Sequence, residues 1–138
     1  VIGAAFEMAL TAHRGQTDQA GMAYIGHVAR VAAGVEEERE IVVALLHDVV
    51  EDCDVPLSQV AAQFGEEIAA AVDAITRREG EEADSYYARV RANPLALAVK
   101  LSDIADNAHP DRLALLDAAT RDRLARKYTK ARAALNTH

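Results

Sequence analysis

Three carboxylates and an imidazole fall close together at His47, Asp48, Glu51 and Asp52, inside the stretch IVVALLHDVVEDCD from Ile41 to Asp54. A helix turns about 100° per residue. With His47 at zero, the same geometry puts Asp48 near ~100°, Glu51 near ~40° and Asp52 near ~140°. All four share one sector. The apolar run Ile41 to Leu46 makes the rest of such a helix apolar nearly all round, and helices of that kind are buried. Burying these groups without partners is costly, so they need a cation or a wet cleft beside one. A metal-dependent active site meets that need. The alternative is a helix end opening into solvent, with Asp52 and Asp54 starting a turn.

A divalent metal site takes several N or O ligands, usually from separate segments. His27, His47, Asp48 and Asp103 offer two imidazoles and two carboxylates from three predicted helices. That mixed set suits Mn, Fe or Zn better than Mg or Ca, which prefer oxygen shells. A metal there would polarise a phosphoryl oxygen and acidify a water, and Glu51 and Asp52 could orient that water and handle its proton. The sequence holds no P-loop, no GxGxxG and no serine in a nucleophile elbow. Metal-assisted hydrolysis is the reaction class left.

Helices must bring these residues together. Ile2, Ala5, Phe6, Ala9 and Leu10 have helical spacing, with His13 next on the same face, where a structural histidine is the simpler reading. Gly15 closes that helix. Gln16 to Met22 reads as a loop. A second helix runs from near Tyr24 to Gly34, with His27 beside its apolar face, either exposed or looking into a cleft. The acidic run Glu36 to Glu38 suits a helix N-terminus and leads into the central helix. Pro56 opens a short helix through Phe64, and Ile68, Ala71, Val72 and Ile75 mark another. Arg77 to Asp84 is a charged surface segment. After a helix over Ser85 to Ala92, Pro94 opens one that runs to Asn107 and carries Lys100, Asp103, Asp106 and Asn107. Its polar face is either solvated or turned to the cleft. Pro110 breaks the chain, and a short helix and a long closing one follow. No stretch alternates long enough for a strand. The expected fold is all-α: residues 1–138 as one compact helical bundle of about seven or eight helices.

Bulk composition agrees. Of 138 residues, 51% are apolar and 27% charged, while aromatics are only 4%. Such a core is built from Leu, Val, Ile and Ala, which favours helices. The net charge of -7 argues against nucleic acid as a partner. It leaves room for a small anionic substrate, because a bound divalent ion reverses the local field. Cys53 is the only cysteine, which excludes an internal disulfide and fits a reducing cytoplasm. No apolar run is long enough to span a membrane, and no signal peptide is evident.

The ordered motifs add a resemblance. Ala12-His13-Arg14-Gly15-Gln16, then Gly21, Tyr24-Ile25 and His27, then LLHDVVED at Leu45 to Asp52, then Phe64-Gly65, then Val99-Lys100-Leu101-Ser102-Asp103 and Asn107 resemble the HD superfamily. Within it they are similar to the RelA/SpoT hydrolase domain and the small alarmone hydrolases. The resemblance implies an HD-domain bundle in which His27, His47, Asp48 and Asp103 bind one Mn ion. It implies that Glu51 and Asp52 assist attack of water on the 3′-diphosphate of (p)ppGpp, releasing pyrophosphate and leaving GDP or GTP. It also implies that Asn107 helps hold the nucleoside, with Tyr24 and Lys100 beside the pocket. Two departures stand out. The loop after Gln16 reads Thr17-Asp18-Gln19 where the family carries an Arg-Lys pair, and Ile104 follows Asp103 where the family has Arg or Lys. Those changes leave a second substrate class open, another nucleotide or phosphate ester. A non-catalytic nucleotide-binding module would predict damage to Glu51 or Asp52, and both are intact.

Overall fold

The computed structural model describes residues 1–136. Eight helices of eight residues or more and two single-turn segments make up the described architecture: α1 (Ile2–Ala12), α2 (Tyr24–Ala33), α3 (Glu38–Leu46), α4 (Val49–Asp52), α5 (Leu57–Phe64), α6 (Glu66–Ile75), α7 (Ala83–Arg91), α8 (Pro94–Asn107), α9 (Pro110–Leu113) and α10 (Ala118–Leu135). Among the described residues there is no strand; the one β-like pairing is an isolated bridge between Thr17 and Ala23. The expected all-α fold is what forms.

α3 is the hub. Its residues Val42 to Leu46 are all buried, because it packs against α1, α2, α6 and α8 at once. A capping box starts it: the Glu37 side chain accepts from the first turn, and the Glu40 carboxylate accepts from the Glu37 amide at 3.1 Å. α8, the other wall of the site, is capped by Asn93, whose side chain accepts from the Ala96 amide at 3.1 Å, with Pro94 at the first helical position. α10 lies across α7 and α8.

Where α2 passes α8, the two backbones come close. A Cβ added at Gly34 would stand 2.3 Å from the Ser102 oxygen, and the Ser102 hydroxyl donates to the Val31 carbonyl at 2.8 Å. Glycine is needed there for approach, not for a special backbone angle.

The central stretch departs from expectation. The predicted continuous helix from Ile41 to Asp54 is interrupted: α3 ends at Leu46, and His47 and Asp48 form a turn before α4. His47 keeps helical angles, but Asp48 sits at φ -106°, ψ -4°, the sparsely populated bridge region. The turn lets neighbouring side chains that a straight helix would splay by about 100° converge. Asp54, at φ 56°, then swings the chain out of α4. One proline differs from expectation: Pro56 stands just before α5, with extended backbone, whereas Pro110 does lead into a short helix, α9.

Candidate active site

Among the described residues the buried polar or charged side chains are His13, His27, His47, Asp48 and Asp103, none more than 9% exposed. They come from α2, the α3–α4 turn, α8 and the end of α1. Nitrogens of His27 and His47 and an oxygen of Asp103 all lie within 4.8 Å of one another. Asp48, Glu51 and Asp52 form a second such group beside it. The two meet at His47, whose Nε2 lies 3.0 Å from Asp48 Oδ2 and 3.4 Å from Asp103 Oδ1. The structure thus gathers all four residues predicted as ligands, with both predicted acid–base residues beside them.

The imidazoles are aimed from behind. His47 Nδ1 donates to the Ala44 carbonyl at 2.6 Å, which leaves Nε2 to face the carboxylates. His27 Nδ1 pairs with Asp106 Oδ2 at 2.6 Å, and its Nε2 lies 2.8 Å from Asp103 Oδ1. A backbone carbonyl or a carboxylate behind each ring is how metal-binding histidines are commonly oriented. The fit to a cation is visible in the bonding. His47 Nε2 is buried and makes no hydrogen bond of acceptable geometry, although two carboxylates lie close.

Electrostatics agree. Burial pulls the His47 pKa down, but Asp48 and Asp103 outweigh it and hold the ring well above the usual imidazole range. Burial also opposes ionisation of Asp103, yet Lys100 and the two histidines hold its carboxyl well below the ordinary value. Asp48 is lowered against burial by His47 and by a hydrogen bond from the Tyr24 hydroxyl. The cluster therefore calls for positive charge, as a proton on His47 or as a metal ion. Glu51 and Asp52 go the other way: burial and then the Asp48 charge raise both.

The residues expected beside the pocket are also here. Lys100 Nζ lies 3.1 Å from Asp103 Oδ2. Asn107 Nδ2 lies 3.4 Å from Asp103 Oδ1. The Tyr24 ring stands between His13 and His27, with centroids 4.9 and 5.4 Å away. His13 is only half satisfied. Its Nδ1 meets Gln16 at 2.9 Å and the Cys53 thiol at 3.3 Å, while its buried Nε2 has no partner.

Two residues of the site were given no role in the sequence reading. Asp106 supports His27 and pairs with Arg30 Nε at 2.7 Å; its place one turn after Asp103 on the same face of α8 was the available signal. Arg112, from α9, reaches Asp106 at 2.8 Å, Asn107 Oδ1 at 2.9 Å and Asp18 at 2.6 Å. So Asp18, in the loop that departs from the family pattern, is held by an arginine from the far end of the chain.

Comparison with known proteins gives the geometry a context. The guanosine-3′,5′-bis(diphosphate) 3′-pyrophosphohydrolase of Vibrio cholerae is 35% identical over 113 residues, 73% of this chain and 16% of that protein. That of Aquifex aeolicus is 33% identical over 115 residues, 75% of this chain and 16% of that protein. The bifunctional (p)ppGpp synthase/hydrolase SpoT of Escherichia coli is 29% identical over 136 residues, 89% of this chain and 19% of that protein. The chain thus spans less than a fifth of the length of these relatives. A solved structure of a metazoan ortholog of SpoT, described as hydrolysing ppGpp and acting in starvation responses, superposes with a TM-score of 0.79 at 25% identity, covering 98% of this chain and 85% of that one. The HD domain family model matches residues 5–84, a span that contains His27, His47 and Asp48. An HD domain depends on a divalent metal, and the His and Asp cluster is a possible place for one. Fold, buried cluster and family match agree, and the chain belongs to the HD-domain family.

Proposed function

We propose that this chain is a Mn-dependent phosphohydrolase that removes pyrophosphate from the 3′ position of (p)ppGpp and leaves GDP or GTP. The observation that carries the reading is the buried His47 Nε2, held toward Asp48 and Asp103 with no hydrogen bond of its own. The relatives named for this activity support the substrate.

In this reading His27, His47, Asp48 and Asp103 hold the ion, and their mixed N and O donors suit Mn. Bound there, it would acidify a water and polarise a phosphoryl oxygen. Glu51 and Asp52 orient the water. Glu51, whose pKa is raised by burial and then by Asp48 and Asp52, takes the water's proton. The bond that breaks joins the 3′ oxygen to phosphorus, and that oxygen leaves with a proton. Tyr24 and Lys100 brace the two carboxylates and border the phosphates, and Asn107 meets the nucleoside. Residues 1–138 act as one HD unit in the cytoplasm, on a small nucleotide and not on nucleic acid. No described helix is long and apolar enough to cross a membrane.

The test is Mn-dependent release of pyrophosphate from ppGpp. Turnover that stops with EDTA and returns with Mn is expected. A Mn-loaded protein that leaves ppGpp intact would sink the alarmone reading. One observation favours a second substrate: Asp18, held by Arg112 of α9, stands in the loop where the family carries an Arg-Lys pair. In that case a panel of other nucleotides and phosphate esters is cleaved while ppGpp is not.

The bracing of His27 has its own test. Asp106→Asn removes the carboxylate charge behind the ring, and metal affinity measured by calorimetry should fall by about 10- to 100-fold. Unchanged affinity would make Asp106 a structural ion-pair partner only.

A further inference from the structure

α10 is electrically unlike the rest of the chain. It carries six of the 15 Lys and Arg residues and one of the 22 Asp and Glu residues, Asp122. Arg123, Arg126, Lys127 and Lys130 recur at helical spacing, so they share a face. Together with Arg77, which follows α6, they line a groove of about 400 Å³ that also includes the Tyr87 ring and no carboxylate. The Arg77 guanidinium donates to the Glu81 carbonyl at 3.1 Å. Among the described residues none of these five cations forms an ion pair with a carboxylate.

A solvated face normally mixes both signs, and like charges one turn apart repel. The repulsion shows in Lys127, whose ammonium is held below the usual lysine range by desolvation and then by Lys100, Arg77 and Arg123. A concave, one-sign surface on a chain of net charge -7 is an electrostatic trap for an anion. Its volume suits a small ligand, and arginines suit phosphate oxygens.

We propose that this groove binds a diphosphate group, at a place separate from the His and Asp cluster. Lys100 stands between the two regions: its Nζ lies 3.1 Å from Asp103 and 5.4 Å from the centre of the Tyr86 ring, which the groove residue Arg77 also approaches, at 5.7 Å. A nucleotide with two diphosphates would place one at the cluster and the other in the groove, and that assignment rests on the proposed hydrolase reading. Free pyrophosphate is the other source of the same chemistry.

Amide NMR of the full chain during titration with inorganic pyrophosphate tests the groove without any turnover. Saturable shifts at residues 123–130 are expected. An Arg123→Gln/Arg126→Gln/Lys130→Gln triple variant, all exposed positions, should weaken that response by about tenfold or more, the equivalent of one good charged contact. Shifts around His47 should stay as they are. Silent α10 amides, or a triple variant that responds like the parent, would overturn the proposal, as would displacement of pyrophosphate by a short RNA at lower concentration.

Kinetics then separate the sources. If the groove holds the substrate's second diphosphate, the triple variant raises KM for ppGpp and leaves KM for guanosine 3′-diphosphate unchanged. If both KM values are unchanged while the NMR effect persists, the groove takes free pyrophosphate. Absence of all turnover in the parent would defeat the hydrolase reading and leave the NMR result intact.

Discussion

Replacing His47 by alanine is expected to abolish metal-dependent turnover, a loss of roughly 10³-fold or more if the ion supplies several kcal/mol at the transition state. The ring is 3% exposed, and its Nε2 is the point where the Asp48 and Asp103 carboxylates meet. Without it those carboxylates face each other across a gap, so stability in EDTA should drop by about 3–5 kcal/mol, as when one partner of a buried pair is removed. His47→Gln keeps most of the volume and separates lost packing from lost ligation. Circular dichroism checks the fold, and calorimetry reads the metal.

The direction of the His47 shift adds a signature. A raised pKa means that the proton on His47 stabilises the metal-free fold below the ordinary imidazole range, and that this contribution fades as pH rises through the folded value. Metal uptake near neutrality should therefore release a proton, seen as a binding enthalpy that depends on the buffer's ionisation heat. In His47→Gln that dependence should vanish. A variant that binds metal as the parent does and turns over within tenfold of it would remove His47 from the machinery.

Glu51→Gln should leave metal affinity intact and lower kcat by about 10²- to 10⁴-fold, the usual worth of a positioned acid–base group. The residue as a whole is exposed, so no core is disturbed, although its neighbours partly desolvate the carboxyl. Its carboxyl is raised by burial and then by the Asp48 and Asp52 charges, against a smaller opposite pull from Lys100. Ionised Glu51 thus costs the metal-free fold stability at any pH above its folded pKa. The glutamine variant should therefore melt no lower than the parent at pH 7 in EDTA. A kcat within tenfold of the parent's would move the proton-handling role to Asp52.

The helices and the HD pair were legible because apolar spacing at 3.6 residues survives in nearly every segment. The break after Leu46 was not. Leu45, Leu46, Val49 and Val50 are apolar on both sides of it, so periodicity has nothing to lose across two residues. Arg112 was out of reach for another reason: its partner Asp18 lies 94 positions away, and no local pattern encodes a contact of that range. The basic face of α10 was present in the sequence but hidden by the overall acidic total, because net charge averages over surfaces that fold apart.

The contact between Gly34 and Ser102 carries a last consequence. His27 and Asp103 stand on α2 and α8, the same two helices that this contact brings together. The helix separation is therefore gauged by a side chain of zero length, which works as a spacer for a site it never touches. Any side chain at position 34 would meet the Ser102 hydroxyl, so either that hydroxyl gives up its bond to Val31 or the two helices move apart. In the second case the span between imidazole and carboxylate lengthens without either residue being changed.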